Sequence, residues 1–209
     1  MQYHEIGKTG MKVSSLSFGA SSLGGVFHDL KEKEGIQAVF TAVEAGMNFI
    51  DVSPYYGHYK AEIVLGKALK DLPRDRYYLS TKVGRYGKDG VNLWDYSAKR
   101  ATESVYESME RLNIDFIDLI NVHDVEFADL NQVVNETLPA LVELREKGVV
   151  GHVGITDLQL ENLKWVIDHS PSGTIESVLS FCHYCLCDDK LADFLDYFES
   201  KEIGVINAS

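Results

Sequence analysis

Cysteine is scarce: three residues in 209, an odd number, cannot build the disulfide framework of a small secreted scaffold. A reducing, cytoplasmic compartment is the expectation. Long apolar runs are missing as well. No stretch approaches the roughly 18 apolar residues of a membrane span, and Met1-Gln2-Tyr3-His4-Glu5 carries neither a basic n-region nor an apolar h-region, so neither export nor a spanning helix is expected. Basic charge is in deficit, with 20 Lys and Arg against 32 Asp and Glu and a formal net charge of −12. Such a chain repels nucleic acid and anionic lipid on average, so no nucleic acid and no membrane partner is expected, and the ligand should be small. No Pro/Gly/Ser-rich linker breaks the chain, which reads as one domain over residues 1–209. A G-x-G-x-x-G fingerprint is also missing: Phe18-Gly-Ala-Ser-Ser-Leu-Gly-Gly25 does not spell it, which argues against a doubly wound dinucleotide-binding sheet.

What is present is alternation. Residues 1–14 read as a hairpin, with the turn cluster Gly7-Lys8-Thr9-Gly10 between Tyr3/Ile6 and Met11/Val13. Apolar runs of strand length then begin near Leu16, Phe49, Tyr77, Ile117, His152, Val178 and Val205. Between them lie stripes at three- and four-residue steps: Ile36, Val39, Phe40 and Val43; Val105, Met109 and Leu112; Leu138, Leu141 and Leu144; Leu191, Phe194, Leu195 and Phe198. Near-continuous apolar strands such as Ile117–Val122 suit parallel strands covered on both faces. The units recur about every 31 residues, the size of one βα unit. The pattern predicts an α/β fold, a (β/α)8 TIM barrel. Eight such units need about 260 residues, and the run to Ser209 reads as a seventh strand just completed, lacking the last helix-strand-helix portion.

Barrel sites sit at the carboxyl ends of the strands, so the polar residues that finish strand runs are the candidates. Asp51 ends one run in Phe49-Ile-Asp-Val-Ser-Pro-Tyr-Tyr-Gly57, with Tyr56 in the loop that follows; Lys82 ends the next in Ser80-Thr-Lys82; His123 ends the third in Asn121-Val-His123. An ammonium beside a phenol favours the phenolate and brings its pKa down toward the working range, and a carboxylate keeps a buried ammonium charged. A histidine can orient a substrate oxygen. Together these groups are parts for moving one proton on and off a hydroxyl or carbonyl oxygen. On composition alone Tyr55 and Tyr59 compete with Tyr56, and Asp51–Lys82 could equally be a structural ion pair.

These strings, with Gly154-Ile-Thr156 after the fifth strand, resemble the aldo-keto reductase family over the whole chain. The resemblance implies a (β/α)8 barrel that transfers a hydride between a nicotinamide cofactor and a carbonyl or alcohol carbon. By position it makes Tyr56 the general acid/base, tuned by Lys82 and Asp51, with His123 orienting the substrate. It places cofactor contacts at Gly19, Ala20, Ser21, Asp51, Thr156, Asp157, Ser180 and Ser209. Ser80-Thr-Lys-Val-Gly-Arg-Tyr86 and Ser180-Phe-Cys-His-Tyr-Cys-Leu186 look most like members that oxidise a sugar at C1, implying a small-molecule sugar substrate and NAD, with NADP also open. A monomer or weak homodimer is expected. The chain departs from the family where Thr156-Asp157 replaces Ser-Asn, Ser180 replaces a glutamine and Ala208 replaces a stacking tyrosine. The family's pyrophosphate site falls after Ser209, so these 209 residues alone are expected to bind dinucleotide weakly. A non-catalytic dinucleotide-binding module, as in potassium-channel beta subunits, is the alternative.

Cys182-His-Tyr-Cys185-Leu-Cys187 invites a metal reading, but no second cysteine pair completes a tetrahedral site. On an extended strand Cys182 and Cys185 face opposite ways, and the thiols are read as buried or inert, with no metal expected. The long connection from Gly84 to Ser97 carries Trp94 and Tyr96, either sugar-lining or packing aromatics.

Overall fold

The computed structural model describes residues 1–26, 29–87 and 93–208. A hairpin, β1 (Tyr3–Glu5) and β2 (Lys12–Ser14), precedes a seven-stranded sheet. Its strands are β3 (Phe18–Gly19), β4 (Phe49–Asp51), β5 (Tyr78–Val83), β6 (Ile117–Val122), β7 (Val150–Asp157), β8 (Ser177–Phe181) and β9 (Gly204–Ala208). They lie in sequence order and every neighbouring pair is parallel, giving seven consecutive staves of a (β/α)8 barrel with β3 and β9 at the edges. Among the described residues no helix is long and apolar enough to cross a membrane.

Helices α1 (Glu32–Glu44), α2 (Lys60–Leu69) and α3 (Ala98–Leu112) cover the first half of the sheet. The short α4 (Leu130–Gln132) runs through a π-helical turn at Val133–Thr137 into α5 (Leu138–Glu146), followed by α6 (Leu160–His169) and α7 (Ala192–Ser200). The predicted stripes pack as expected: Val39, Val43, Val105, Leu112, Leu138, Leu141, Leu144 and Phe198 are all buried, while Leu195 stays exposed. Besides the single-turn α4, two helices carry no predicted stripe. α6 buries Leu160, Leu163, Val166 and Ile167. α2 buries Ala61, Glu62, Val64, Leu65, Gly66, Ala68 and Leu69, so it has no single apolar face for a periodicity to reveal.

Glu62 is the exception that fixes α2. Its fully buried carboxylate accepts from Thr81 Oγ1 on β5 at 2.7 Å and from Arg111 Nε on α3 at 2.7 Å. Both hydrogen bonds are needed, because a buried carboxylate left without partners costs several kcal/mol, a large share of a domain's stability. At the opposite end the hairpin seals the barrel: Ile6 and Met11 are buried against Phe49 and Leu119, each worth about 1.5–3 kcal/mol of apolar burial. One end of the sheet is thereby closed. The other end, where β4, β5 and β6 finish, carries the polar residues.

Candidate active site

Asp51, Lys82 and His123 stand at the carboxyl ends of β4, β5 and β6 or one residue beyond, each two residues further along than strict register, since Asp51 pairs with Ser80 and Lys82 with Asn121. Lys82 is 1% exposed, and its Nζ donates to Asp51 Oδ2 at 2.5 Å and to the Val52 carbonyl at 2.8 Å. The other Asp51 oxygen accepts from Ser80 Oγ at 2.8 Å, and Ser80 accepts from Asn121 Nδ2 at 2.9 Å. Ser80 and Asn121 were not singled out from the sequence, yet their inward position on β5 and β6 is what period-two alternation assigns them.

Three tyrosines compete after Asp51, and they have different neighbours. Lys82 Nζ lies 5.0 Å from the Tyr56 ring centroid. Tyr55 instead lies against the Arg85 guanidinium at 3.5 Å, and Tyr59 against that of Arg111 at 4.5 Å. The loop holding Tyr56 is made by a glycine contact. Gly57 has φ +60°, and a Cβ there would stand 2.1 Å from the Gly24 carbonyl oxygen. A Cβ on Gly24 would in turn meet the Tyr56 carbonyl at 2.6 Å. Only two glycines allow these backbones to touch.

The electrostatics differ in one respect from expectation. Burial works against the Lys82 ammonium, but Asp51 and Tyr56 outweigh it, and its pKa rises above the ordinary lysine value. Burial raises the Tyr56 phenol; the Lys82 cation pulls it back and the Asp51 carboxylate pushes it up again, leaving it above the ordinary tyrosine value. The expected net lowering by Lys82 is therefore not met in the protein alone, because the same burial that removes water from Lys82 also removes it from the phenol. Burial first, then the Lys82 and Arg85 cations, hold His123 well below the usual imidazole range, so the ring is neutral near pH 7. Its Nδ1 lies 3.1 Å from Ser53 Oγ, which already accepts from the Tyr55 amide at 3.2 Å. We assign the Ser53 hydroxyl as donor to Nδ1, the tautomer that leaves Nε2 protonated toward Asp124 Oδ2 at 3.5 Å.

The residues expected to meet a cofactor are spread along the same rim. Gly19 pairs with Asp51 across β3 and β4; Ser21 is half-buried on the 3-10 turn Ala20–Gly24. Ala20 is fully buried, so its side chain is core and only its backbone could face a ligand. Thr156 also braces the neighbouring loop, since its hydroxyl accepts from the Asp124 amide at 2.9 Å. Asp157 accepts from the Gln159 amide at 2.6 Å and from Asn162 Nδ2 at 3.1 Å, which ties the end of β7 to the first turn of α6. Beside it burial and Asp157 itself push the Glu126 carboxyl up to about 8, and burial also raises Asp157. Ser180 is fully buried in register with Asp157, and among the described residues its Oγ has no partner. Ala208 pairs with Phe181, which is exposed. Ser209 lies outside the described residues. A buried hydroxyl without a partner next to a carboxylate acceptor suits the amide NH₂ and C=O of a carboxamide, so Asp157 and Ser180 fit that group.

The long connection after β5 resolves an open choice. Tyr96 is 3% exposed, and its hydroxyl donates to the His123 and Asp124 carbonyls at 2.7 and 2.9 Å. It is a support for the site rather than part of its lining. Trp94 remains half-buried and stacks on Phe127 at 4.2 Å, with the Arg85 guanidinium 4.6 Å from its ring. The cysteines differ from expectation as well. β8 ends at Phe181, Cys182 takes φ +64°, and Cys185 and Cys187 are exposed, so the thiols are neither on a strand nor buried.

Seven parallel staves with Asp51, Lys82 and Tyr56 brought together at the carboxyl rim beside His123 define a (β/α)8-type barrel protein with a polar site at that rim. Residues 15–209 match the sequence model of the aldo/keto reductase family, and the chain belongs to that family. It is 46% identical over 211 residues to L-galactose dehydrogenase of Arabidopsis thaliana, covering 100% of this chain and 65% of that protein. It is 35% identical over 209 residues to D-arabinose 1-dehydrogenase of Saccharomyces cerevisiae, covering 94% of this chain and 61% of the relative. Among solved structures, the holo form of aldo-keto reductase AKR11C1 from Bacillus halodurans superposes with a TM-score of 0.85 at 27% identity, over 99% of this chain and 65% of that one. An aldo-keto reductase from Klebsiella pneumoniae in complex with NADPH shares the fold, with a TM-score of 0.79 at 21% identity over 98% of this chain and 66% of that one. The chain spans somewhat under two thirds of the length of the first two relatives.

Proposed function

We propose that the protein is an NAD-dependent aldose 1-dehydrogenase that oxidises L-galactose at C1 to L-galactono-1,4-lactone. The observation that carries the reading is the fully buried Lys82 ammonium set between the Asp51 carboxylate and the Tyr56 ring, with a neutral His123 beside them. The relatives named L-galactose dehydrogenase and D-arabinose 1-dehydrogenase supply the substrate class.

A nicotinamide, held through its carboxamide by Asp157 and Ser180, would supply the hydride acceptor. The chain's own residues manage the proton. His123 Nε2 donates to the C1 oxygen and fixes it beside Tyr56; the deprotonated Tyr56 oxygen takes the C1 hydroxyl proton; Lys82 stabilises the phenolate that does so. Asp51 keeps Lys82 charged and does not itself exchange the proton. Because the Tyr56 phenol is raised, the fraction present as phenolate grows through the alkaline range, and oxidation accelerates with it.

The full-length protein given L-galactose and NAD should show rising absorbance at 340 nm, and Tyr56→Phe should lower that rate about 10²–10⁴-fold, the usual worth of a positioned acid/base. No absorbance change with wild-type protein, as a non-catalytic binding module would give, refutes the activity. Full turnover by Tyr56→Phe removes that residue from the reaction.

A further inference from the structure

Next to Lys82 the rim carries a second ion pair that proton transfer does not use. Arg85 and Asp124 meet at 2.6 Å, Nη1 to Oδ2, with side chains 22% and 21% exposed. They are neither sealed in the core nor free in water. Arg85 follows Gly84, whose φ of +100° turns the chain after β5, and its guanidinium is clamped between the Tyr55 ring at 3.5 Å and the Trp94 ring at 4.6 Å. A planar cation held between two rings loses little freedom when it hydrogen-bonds a ligand.

Asp124 is held with comparable care. It takes a left-handed backbone, φ 48° and ψ 63°, which costs energy for any residue with a Cβ. The surroundings keep it there: its amide donates to Thr156 Oγ1, and the Thr156 hydroxyl donates to Asp124 Oδ1 at 3.3 Å. A strained, fastened residue at the mouth of a site asks for a functional reason. The same Oδ2 that meets Arg85 stands 3.5 Å from His123 Nε2. An oxygen received by Nε2 therefore has the Asp124 carboxylate nearby on one side, as it has Tyr56 on the other.

We propose that the Arg85–Asp124 pair reads the hydroxyl on the carbon adjacent to the reacting one, so that the site selects a vicinal hydroxyl-bearing substrate over a lone alcohol or aldehyde. Neighbouring oxygens of such a substrate are held close together by the carbon frame, and with Oδ2 only 3.5 Å from Nε2 the donor and the acceptor are near enough to serve two such oxygens at once. The chemistry also decides which neighbour is read. A carboxylate only accepts, so a pyranose ring oxygen, having no hydrogen, cannot be its partner, whereas the C2 hydroxyl can donate to Asp124 while accepting from an N–H of Arg85. The inference rests on the aldose dehydrogenase reading and deepens it by naming the substrate atom that is recognised.

The test compares L-galactose with its 2-deoxy analogue in the full-length enzyme with NAD. Wild-type kcat/KM should favour the 2-hydroxy sugar by about 10–100-fold, the worth of hydrogen bonds to charged groups. In Asp124→Asn, which tolerates the left-handed backbone, and in Arg85→Met, that ratio should collapse toward one, with the loss on L-galactose appearing mainly in KM. Arg85→Lys, keeping the charge without the fork, should give an intermediate ratio. Wild-type enzyme that oxidises both sugars equally well overturns the inference while leaving the dehydrogenase reading intact, and so does an undiminished ratio in folded Asp124→Asn. Wild-type enzyme that oxidises neither sugar overturns both.

Discussion

Replacing Lys82 by methionine removes the cation that lies against Tyr56 and keeps the volume of the buried stem. At an effective dielectric of about 20, a unit charge about 5 Å from the phenol is worth ~3 kcal/mol, or ~2 pH units. The 5.0 Å separation of Lys82 Nζ from the ring centroid makes that the scale to expect. The proposed oxidation needs the phenolate, so in Lys82→Met the ascending limb of log kcat/KM against pH should move up by about two units, and the rate at neutral pH should fall about 10²-fold. Asp51 is then left half of a buried pair, a state that costs about 3–5 kcal/mol. A parallel melt separates the two effects. The double variant Asp51→Asn/Lys82→Met should recover much of the lost stability by removing the orphaned carboxylate, yet recover none of the lost rate. An unmoved alkaline limb in folded Lys82→Met refutes the reasoning, because the ammonium would then have no influence on the group that titrates.

The glycine contact beneath Tyr56 makes a second expectation. In Gly57→Ala a Cβ would meet the Gly24 carbonyl at 2.1 Å on a residue with φ +60°, so the loop must move and kcat should drop more than about tenfold, the sensitivity expected of a misplaced acid/base. Gly10→Ala has φ +75° but open space around its Cβ, and should cost only the left-handed term of about 1–2 kcal/mol without affecting kcat. Equal effects of the two on kcat would contradict the role given to the Gly24–Gly57 contact. A third concerns pH and stability. Glu126 holds its proton up to about 8 in the folded protein, above the ordinary glutamate value of 4.5. Between those values the folded state binds the proton that the unfolded state has released, so this group's contribution to stability is full below the lower value and lost as pH rises through the upper one. Urea midpoints should decline over that window, and Glu126→Gln should flatten the decline; an unchanged slope would assign it to other groups.

How legible all this was in the sequence varies from element to element. The hairpin and all seven barrel strands appear near the positions that apolar runs indicate, and four helices announce themselves by their stripes. α2 does not, since a helix buried on most sides, with Glu62 held by Thr81 and Arg111, presents no contrast between faces. At the site, Asp51, Lys82 and His123 can be read as strand-ending polar residues. Ser80, Asn121 and Ser53, which orient them, look like ordinary small polar residues until neighbouring strands are placed in register.

The sequence alone therefore determined the period of the βα units, the ends of the strands and the residue types available at one rim, because alternation and helical periodicity are properties of a few adjacent residues. Only the tertiary structure decided which tyrosine meets Lys82, that the Tyr56 phenol is raised rather than lowered, and that Arg85 and Asp124 join beside His123. Those outcomes depend on burial and on charges brought together from strands and loops distant in the chain, and each is a balance whose sign is set by distances in space.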